Sequence, residues 1–225
     1  MDVVEDYNGH VEARGPAARR TLDALTITKV SVGPMDNNAY LLVCRATQEA
    51  LLIDAANDPE RLSDLIGHDD ARPTLRTIVT THQHFDHWQA LGAVAGAYGA
   101  NTIAHELDAG PLPVPPDRFV TQGDTVPVGD CPLEVIHLRG HTPGSVALLY
   151  RDPSGHGHLF TGDSLFPGGV GKTTSPEDFT SLLDDVSARV FDELPDDTWF
   201  YPGHGDDSTL GAERPKLGEW RERAW

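Results

Sequence analysis

Apolar and polar positions alternate over residues 25–32, and two further apolar runs, 39–43 and 50–53, follow the turn residues Asp36, Asn37 and Asn38. Period-two alternation marks strands with one buried face, and the short connections make them antiparallel neighbours in a meander. The period then changes. Asp58-Pro59-Glu60 opens a short helix, with Asp58 as N-cap, Pro59 at the first helical position, Leu62, Leu65 and Ile66 as a buried stripe, and Gly67 at its end. Residues 75–81 read as a strand. Residues 88–98 read as an Ala-rich helix, with Leu91, Val94, Ala95 and Tyr98 at helical spacing and small residues suited to close packing on a sheet.

In the second half, 101–104, 125–128, 133–138, 145–150 and 157–161 read as strands, and Asp152-Pro153-Ser154-Gly155 turns the chain between the last two. Four prolines within 111–116 make a stiff loop, which can be neither helix nor central strand and is suited to walling a cleft. Ser175-Pro176-Glu177-Asp178 looks like a capping box, and Phe179, Leu182, Leu183, Val186, Val190 and Phe191 recur behind it at helical spacing. Residues 198–201 are a last strand. Residues 1–24 show no sustained period and are expected to be an ill-ordered arm. The expected organisation is therefore an N-terminal arm (1–24), a single domain (25–208), and a C-terminal surface segment of that domain (209–225) holding a short helix. Two sheets with helices outside is the natural sum, an α/β class.

Composition narrows the function classes. The 39% of apolar residues among 225 suffices for a core, and 17 basic against 35 acidic residues leave a net charge of -18. Such a field repels polyanions, which disfavours a nucleic-acid or anionic-membrane partner and leaves a small molecule as the expected one. The acidic opening Met1 to Asp6 and the lack of any 18-residue apolar run read as a cytoplasmic chain. Cys44 and Cys131 sit in apolar runs without metal or redox spacing, so buried free thiols are expected.

The densest chemistry follows the 75–81 strand: Thr81-His82-Gln83-His84-Phe85-Asp86-His87. Imidazole and carboxylate are the common protein ligands of borderline cations such as zinc. At the exit of a strand, side chains at i and i+2 share a side, so His82 and His84 can converge on one ion while Gln83 points away. Asp86 and His87 fall where the chain turns and face elsewhere, toward a second ion. Three more loops past strands each present one donor beside glycine: Gly140-His141-Thr142-Pro143-Gly144, Gly162-Asp163-Ser164 and Gly203-His204-Gly205. Glycine flanks let the backbone approach a ligand closely and aim that donor. His10, His68, His105, His137, His156 and His158 receive no role.

The order HxHxDH, then His141, Asp163 and His204, resembles the metallo-β-lactamase superfamily over about residues 26–206. The resemblance implies a four-layered αβ/βα sandwich of two mixed sheets with helices outside. It also implies a first metal site at His82, His84 and His141, a second at Asp86, His87 and His204, and Asp163 bridging both. Two divalent cations follow, zinc first, with iron or manganese as alternatives. Asp86 counts among the catalytic residues, with a hydroxide held between the metals as nucleophile. Ser145, Ser164 and Thr142 are expected to hydrogen-bond around the ligands instead of attacking.

Within the superfamily, Gly162-Asp163-Ser164-Leu165-Phe166, Gly171-Lys172 and Gly140 to Gly144 are similar to the glyoxalase II group of thioester hydrolases and the related persulfide dioxygenases. That likeness makes Lys172 a candidate substrate contact. The chain departs from glyoxalase II at Thr173 and Thr174, where that family has an aromatic residue and a tyrosine, and it lacks the helical C-terminal extension. The implied activity is hydrolysis of an ester-like acyl bond, a thioester of hydroxyacyl-thiol type. The alternatives are a mononuclear iron persulfide dioxygenase, a lactone or β-lactam hydrolase, and a metal-stabilised binding protein without turnover. The acyl group, the thiol carrier and the oligomeric state are not legible.

Overall fold

The computed structural model describes residues 1–68 and 72–223. Its first sheet holds eight strands that lie side by side in chain order: β1 (Val3–Val4), β2 (Ala17–Thr21), β3 (Leu25–Val32), β4 (Asn37–Cys44), β5 (Glu49–Ile53), β6 (Thr74–Val79), β7 (Asn101–Ala104) and β8 (Arg118–Phe119). Strands β2 to β5 pair antiparallel through short turns. From β5 to β8 the pairing is parallel. Parallel neighbours need a crossover, and α1 (Pro59–Ile66) and α2 (Leu91–Tyr98) supply two of them.

The second sheet runs β16-β15-β12-β11-β10-β9. It is built from β9 (Thr125–Val128), β10 (Cys131–His137), β11 (Val146–Arg151), β12 (Gly157–Gly162), β15 (Trp199–Pro202) and β16 (Ser208–Thr209). Between β12 and β15 come a small hairpin, β13 (Leu165–Phe166) with β14 (Gly169–Val170), and α3 (Pro176–Val186), which runs on as a π turn over Ser187–Phe191. The Ser175 side chain accepts from the Asp178 N–H, so the capping-box start holds.

Alternation along β4 shows how the layers form. Tyr40, Leu42 and Cys44 face the core between the sheets, with Phe160 and Tyr201 opposite. Ala39, Leu41 and Val43 face outward, where Leu62, Leu65 and Ile66 of α1 and Leu91 and Val94 of α2 cover them. A strand buried on both faces reads as a continuous apolar run, and each fully buried Leu contributes roughly 1.5–3 kcal/mol. On the far side, Leu182, Leu183 and Val186 of α3 pack on Leu149, Leu159 and Phe200. The result is the expected αβ/βα sandwich.

Four expectations need correction. Residues 1–24 are not an ill-ordered arm: β1 and β2 extend the first sheet, and Lys29, fully buried, donates to the Gly9 carbonyl and to Asp207. The polar run Ala17–Thr21 hid this strand because its arginines are absorbed by tertiary partners, with Arg20 lying 3.9 Å over the Trp199 ring. The C-terminal segment, α4 (Leu210–Glu213) and α5 (Leu217–Arg223), is more than a surface cap, since Leu210 and Trp220 are buried in the outer core of the second sheet. Ala224 and Trp225 lie outside the described residues. Asp58 does not cap α1 with its side chain; it stands at φ 49° and its carboxylate accepts from the Gly33 N–H. Helix α2 starts at Leu91, not Trp88, whose indole instead donates to the Gln83 carbonyl at 2.8 Å. Cys44 and Cys131 are buried and free, as expected.

Candidate metal centre

All seven donors lie on loops that leave the two sheets at the same end of the sandwich. Strand β6 stops at Val79, and Thr80 still pairs with Ile103 before the chain breaks away. Thr81 is then captured by Asp54, just past β5: its N–H and its hydroxyl each donate to that carboxylate at 2.8 Å. His82 and His84 follow, and a single 3-10 turn, Phe85–His87, swings Asp86 and His87 to the other side. His141 lies between β10 and β11, Asp163 just after β12, and His204 just after β15.

Two clusters result. Ring nitrogens of His82, His84 and His141 lie within 4.8 Å of one another, and donor atoms of Asp86, His87 and His204 do so as well. Asp163 stands between them. Its Oδ1 is 3.4 Å from His87 Nε2, while Oδ2 is 3.6 Å from His204 Nε2 and 3.8 Å from His141 Nε2. Buried polar atoms normally find hydrogen-bond partners, yet His82 Nε2, His141 Nε2 and Asp163 Oδ1 have none among the described residues. Orphaned acceptors that converge from three loops fit a cation, which would satisfy them together. Asp54 also lies near His82 and His87, but its oxygens are already engaged by Thr81 and by His87 Nδ1 at 2.8 Å. It therefore orients the donors.

The other faces of the rings are mostly held. Thr81 Oγ1 meets His82 Nδ1 at 3.0 Å, the Lys172 carbonyl takes His141 Nδ1 at 2.7 Å, and the Met35 carbonyl takes His204 Nδ1 at 3.1 Å. Asn37 donates to Asp86 Oδ2 at 2.8 Å. With Nδ1 occupied, Nε2 is the atom each of these rings turns toward the site. Electrostatics differ between the clusters. Burial, then the neighbouring imidazoles, holds His82 well below the usual histidine range, and burial lowers His141. Burial also opposes charge on His87, but Asp54 and Asp163 outweigh it and push that imidazole up to about 10. Asp86 is held below the usual carboxylate range despite its burial, by His204, His87 and Asn37.

Tight backbone makes this convergence possible. A Cβ on Gly203 would lie 2.1 Å from Asp163 Oδ1, and one on Gly162, which sits at φ +50°, would lie 2.6 Å from Thr81 Oγ1. Lys172 is exposed and lines a cleft of about 370 Å³ together with Met35, His84, Thr174 and His204. Its carbonyl, not only its side chain, belongs to the site. Thr142 and Ser145 hydroxyls bond each other at 2.5 Å, and the Ser164 hydroxyl is buried, so none of the three lines the cleft as a free nucleophile. Sequence reasoning missed Asp54, Asn37 and the carbonyl of Met35. The available signal for Asp54 was a lone carboxylate directly after the apolar strand run 50–53, the same placement that marks the donors themselves.

Comparison with known proteins agrees with this architecture. A hydroxyacylglutathione hydrolase of Polaromonas sp. is 35% identical over 172 residues, which cover 75% of this chain and 62% of that protein. The chain thus spans less than two thirds of that relative's length. Among solved structures, ETHE1 from Myxococcus xanthus superposes with a TM-score of 0.74 at 27% identity, covering 87% of this chain and 84% of that one. TTHA1623, solved in a di-iron-bound form, superposes with a TM-score of 0.66 at 32% identity, covering 83% and 96% respectively. The superfamily's own sequence model matches residues 32–204, a span that carries β4 to β15 and all seven donors. With sandwich, loop placement and donor order in agreement, the chain belongs to the metallo-beta-lactamase superfamily.

Proposed function

We propose that this protein hydrolyses ester-like acyl bonds, with thioesters as its substrates, using two divalent cations. His82, His84 and His141 hold one cation, Asp86, His87 and His204 the other, and Asp163 is shared between them. The observation that carries this reading is the position of Asp163, whose Oδ1 faces His87 and whose Oδ2 lies between His204 and His141, in the lining of an open cleft. When bound, a cation pair supplies an activated water and polarises an acyl carbonyl. The chain does the rest. Asp54, Thr81, Asn37 and the carbonyls of Lys172 and Met35 fix ring orientation, so little reorganisation is needed as charge develops. Lys172 stands at the cleft rim as an anchor for an acidic group on the thiol carrier. Among the described residues that line the cleft there is no serine or cysteine, its hydroxyls are those of Thr173 and Thr174, and the reading takes water as the nucleophile. Support for thioesters comes from the relative named a hydroxyacylglutathione hydrolase.

A dioxygenase with a single iron would need only one cluster and Asp163. The intact second cluster, with each donor tied to a partner, favours the hydrolase. A panel of thioesters, lactones and β-lactams, assayed with and without oxygen on protein whose metals have been counted, separates the readings. Expected is thioester turnover that follows metal content and is indifferent to oxygen. Turnover of persulfides that stops under anaerobic conditions would replace this reading with the dioxygenase.

A further inference from the structure

One buried carboxylate outside the donor set ties together the two loops of the first cluster. Asp108 ends a short 3-10 turn after β7, and only 1% of its surface is exposed. The Gln83 N–H donates to its Oδ2 at 3.0 Å, the Thr142 hydroxyl donates to the same oxygen, and the Gly144 N–H donates to Oδ1 at 2.7 Å. Gln83 is the residue between His82 and His84, whereas Thr142 and Gly144 follow His141. Hydrogen bonds to an ionised acceptor are roughly twice as strong as neutral ones. Three of them therefore fasten the His82–His84 segment to the His141 loop.

The surroundings are built for this carboxylate. A Cβ on Gly144 would lie 2.8 Å from Asp108 Cγ and Oδ1, so the glycine that closes the Gly-His-Thr-Pro-Gly run is needed for close approach to Asp108. His105 Nδ1 accepts from the Leu107 N–H at 3.1 Å and so fixes the turn that delivers Asp108. Both carboxylate oxygens receive donors, so an asparagine would turn its NH₂ toward one of them and leave an N–H facing an N–H. By contrast, no hydrogen bond to Asp108 comes from Asp86, His87 or His204 or from their flanking residues among those described.

We propose that Asp108 is the positioning residue of the first donor cluster, holding His82, His84 and His141 in register before a cation arrives. The inference rests on those three histidines being ligands, as proposed above. The test compares Asp108→Asn with the parent protein, each stripped of metal, by zinc titration calorimetry and by amide hydrogen exchange. Zinc affinity at one of the two sites should fall roughly 10- to 100-fold, as for other partners of metal ligands, with the second site changed less than about threefold. Exchange should speed up at the Gln83 and Gly144 amides while the β4 and β11 amides keep their protection. Thr142→Val, which removes one bond of three, should show a smaller loss in the same direction and serves if Asp108→Asn does not fold. Equal loss at both sites, or unchanged affinity with unchanged exchange at Gln83 and Gly144, would overturn the proposal. If the parent protein binds no zinc, the ligand assignment fails; exchange at those amides still decides whether Asp108 joins the two loops.

Discussion

The two donor clusters are built from similar residues and are prepared for a cation in opposite ways. In the first, His82 and His141 are kept neutral by burial and present Nε2 atoms without a hydrogen-bond partner, and no hydrogen bond from the described residues restrains the exposed His84 ring. In the second, every donor already has an ionic or hydrogen-bonded partner. His87 lies between Asp54 at 2.8 Å and Asp86 and Asp163 at 3.5 and 3.4 Å, and His204 meets Asp86 at 3.3 Å. The first cluster bears the cost of unsatisfied polar atoms, which a cation relieves. On the two-cation reading, a proton held by the second would have to leave before a metal could bind there. Similar ligands therefore give a vacant acceptor set on one side and a salt-bridged one on the other, and the difference lies in Asp54 and the neighbouring carboxylates.

The substitution with the largest expected effect acts on the group the clusters share. Asp163→Asn removes a charge that faces both, so bound metal should fall to one ion or none and hydrolysis by at least roughly a hundredfold. Elemental analysis with steady-state kinetics checks this. Two ions retained per chain would show that the clusters do not depend on a common carboxylate.

At the small end, Lys172→Ala spares both clusters, because the backbone carbonyl that holds His141 stays in place. On acidic thioesters KM should rise several-fold, about 3–10, with kcat nearly unchanged, and added salt should shrink the difference. A neutral thioester should be cleaved equally by both proteins. A fall in kcat on both substrates would mean that the side chain supports the His141 loop and is not confined to substrate choice.

The seven donors were legible because each sits in a short run at the end of an apolar strand, where strand geometry and flanking glycines restrict where the side chain can go. Asp54, Asn37 and Asp108 were not, for a physical reason. Each is a single polar residue whose role is set by which distant N–H or imidazole the fold brings to it, as Asp54 meets Thr81 and His87 only once β5 and β6 pair in register. Two sheets with helices outside could be read from alternating strands and the Ser175 cap, whereas the four-layered sandwich came from the family resemblance. The strand Ala17–Thr21 could not, since its polar residues are compensated by Tyr7, Trp199 and Tyr201 from elsewhere in the chain. Lys172 was singled out for its side chain, and the contact that involves its carbonyl has no signature in residue type.

The contrast between the clusters is tested most directly by titrating metal-free protein with zinc at pH 7 in two buffers of different ionisation enthalpy. His87 stands near 10 without metal, so it carries its proton at pH 7 and must release it when an ion takes its Nε2. The sign follows. Zinc affinity at that cluster strengthens as pH rises toward about 10, whereas the lowered His82 and His141 give the first cluster little pH dependence above neutrality. Calorimetry should resolve two ions per chain, one bound with release of roughly one proton and the other with almost none. A single ion per chain, or two ions that release protons equally, would contradict the account.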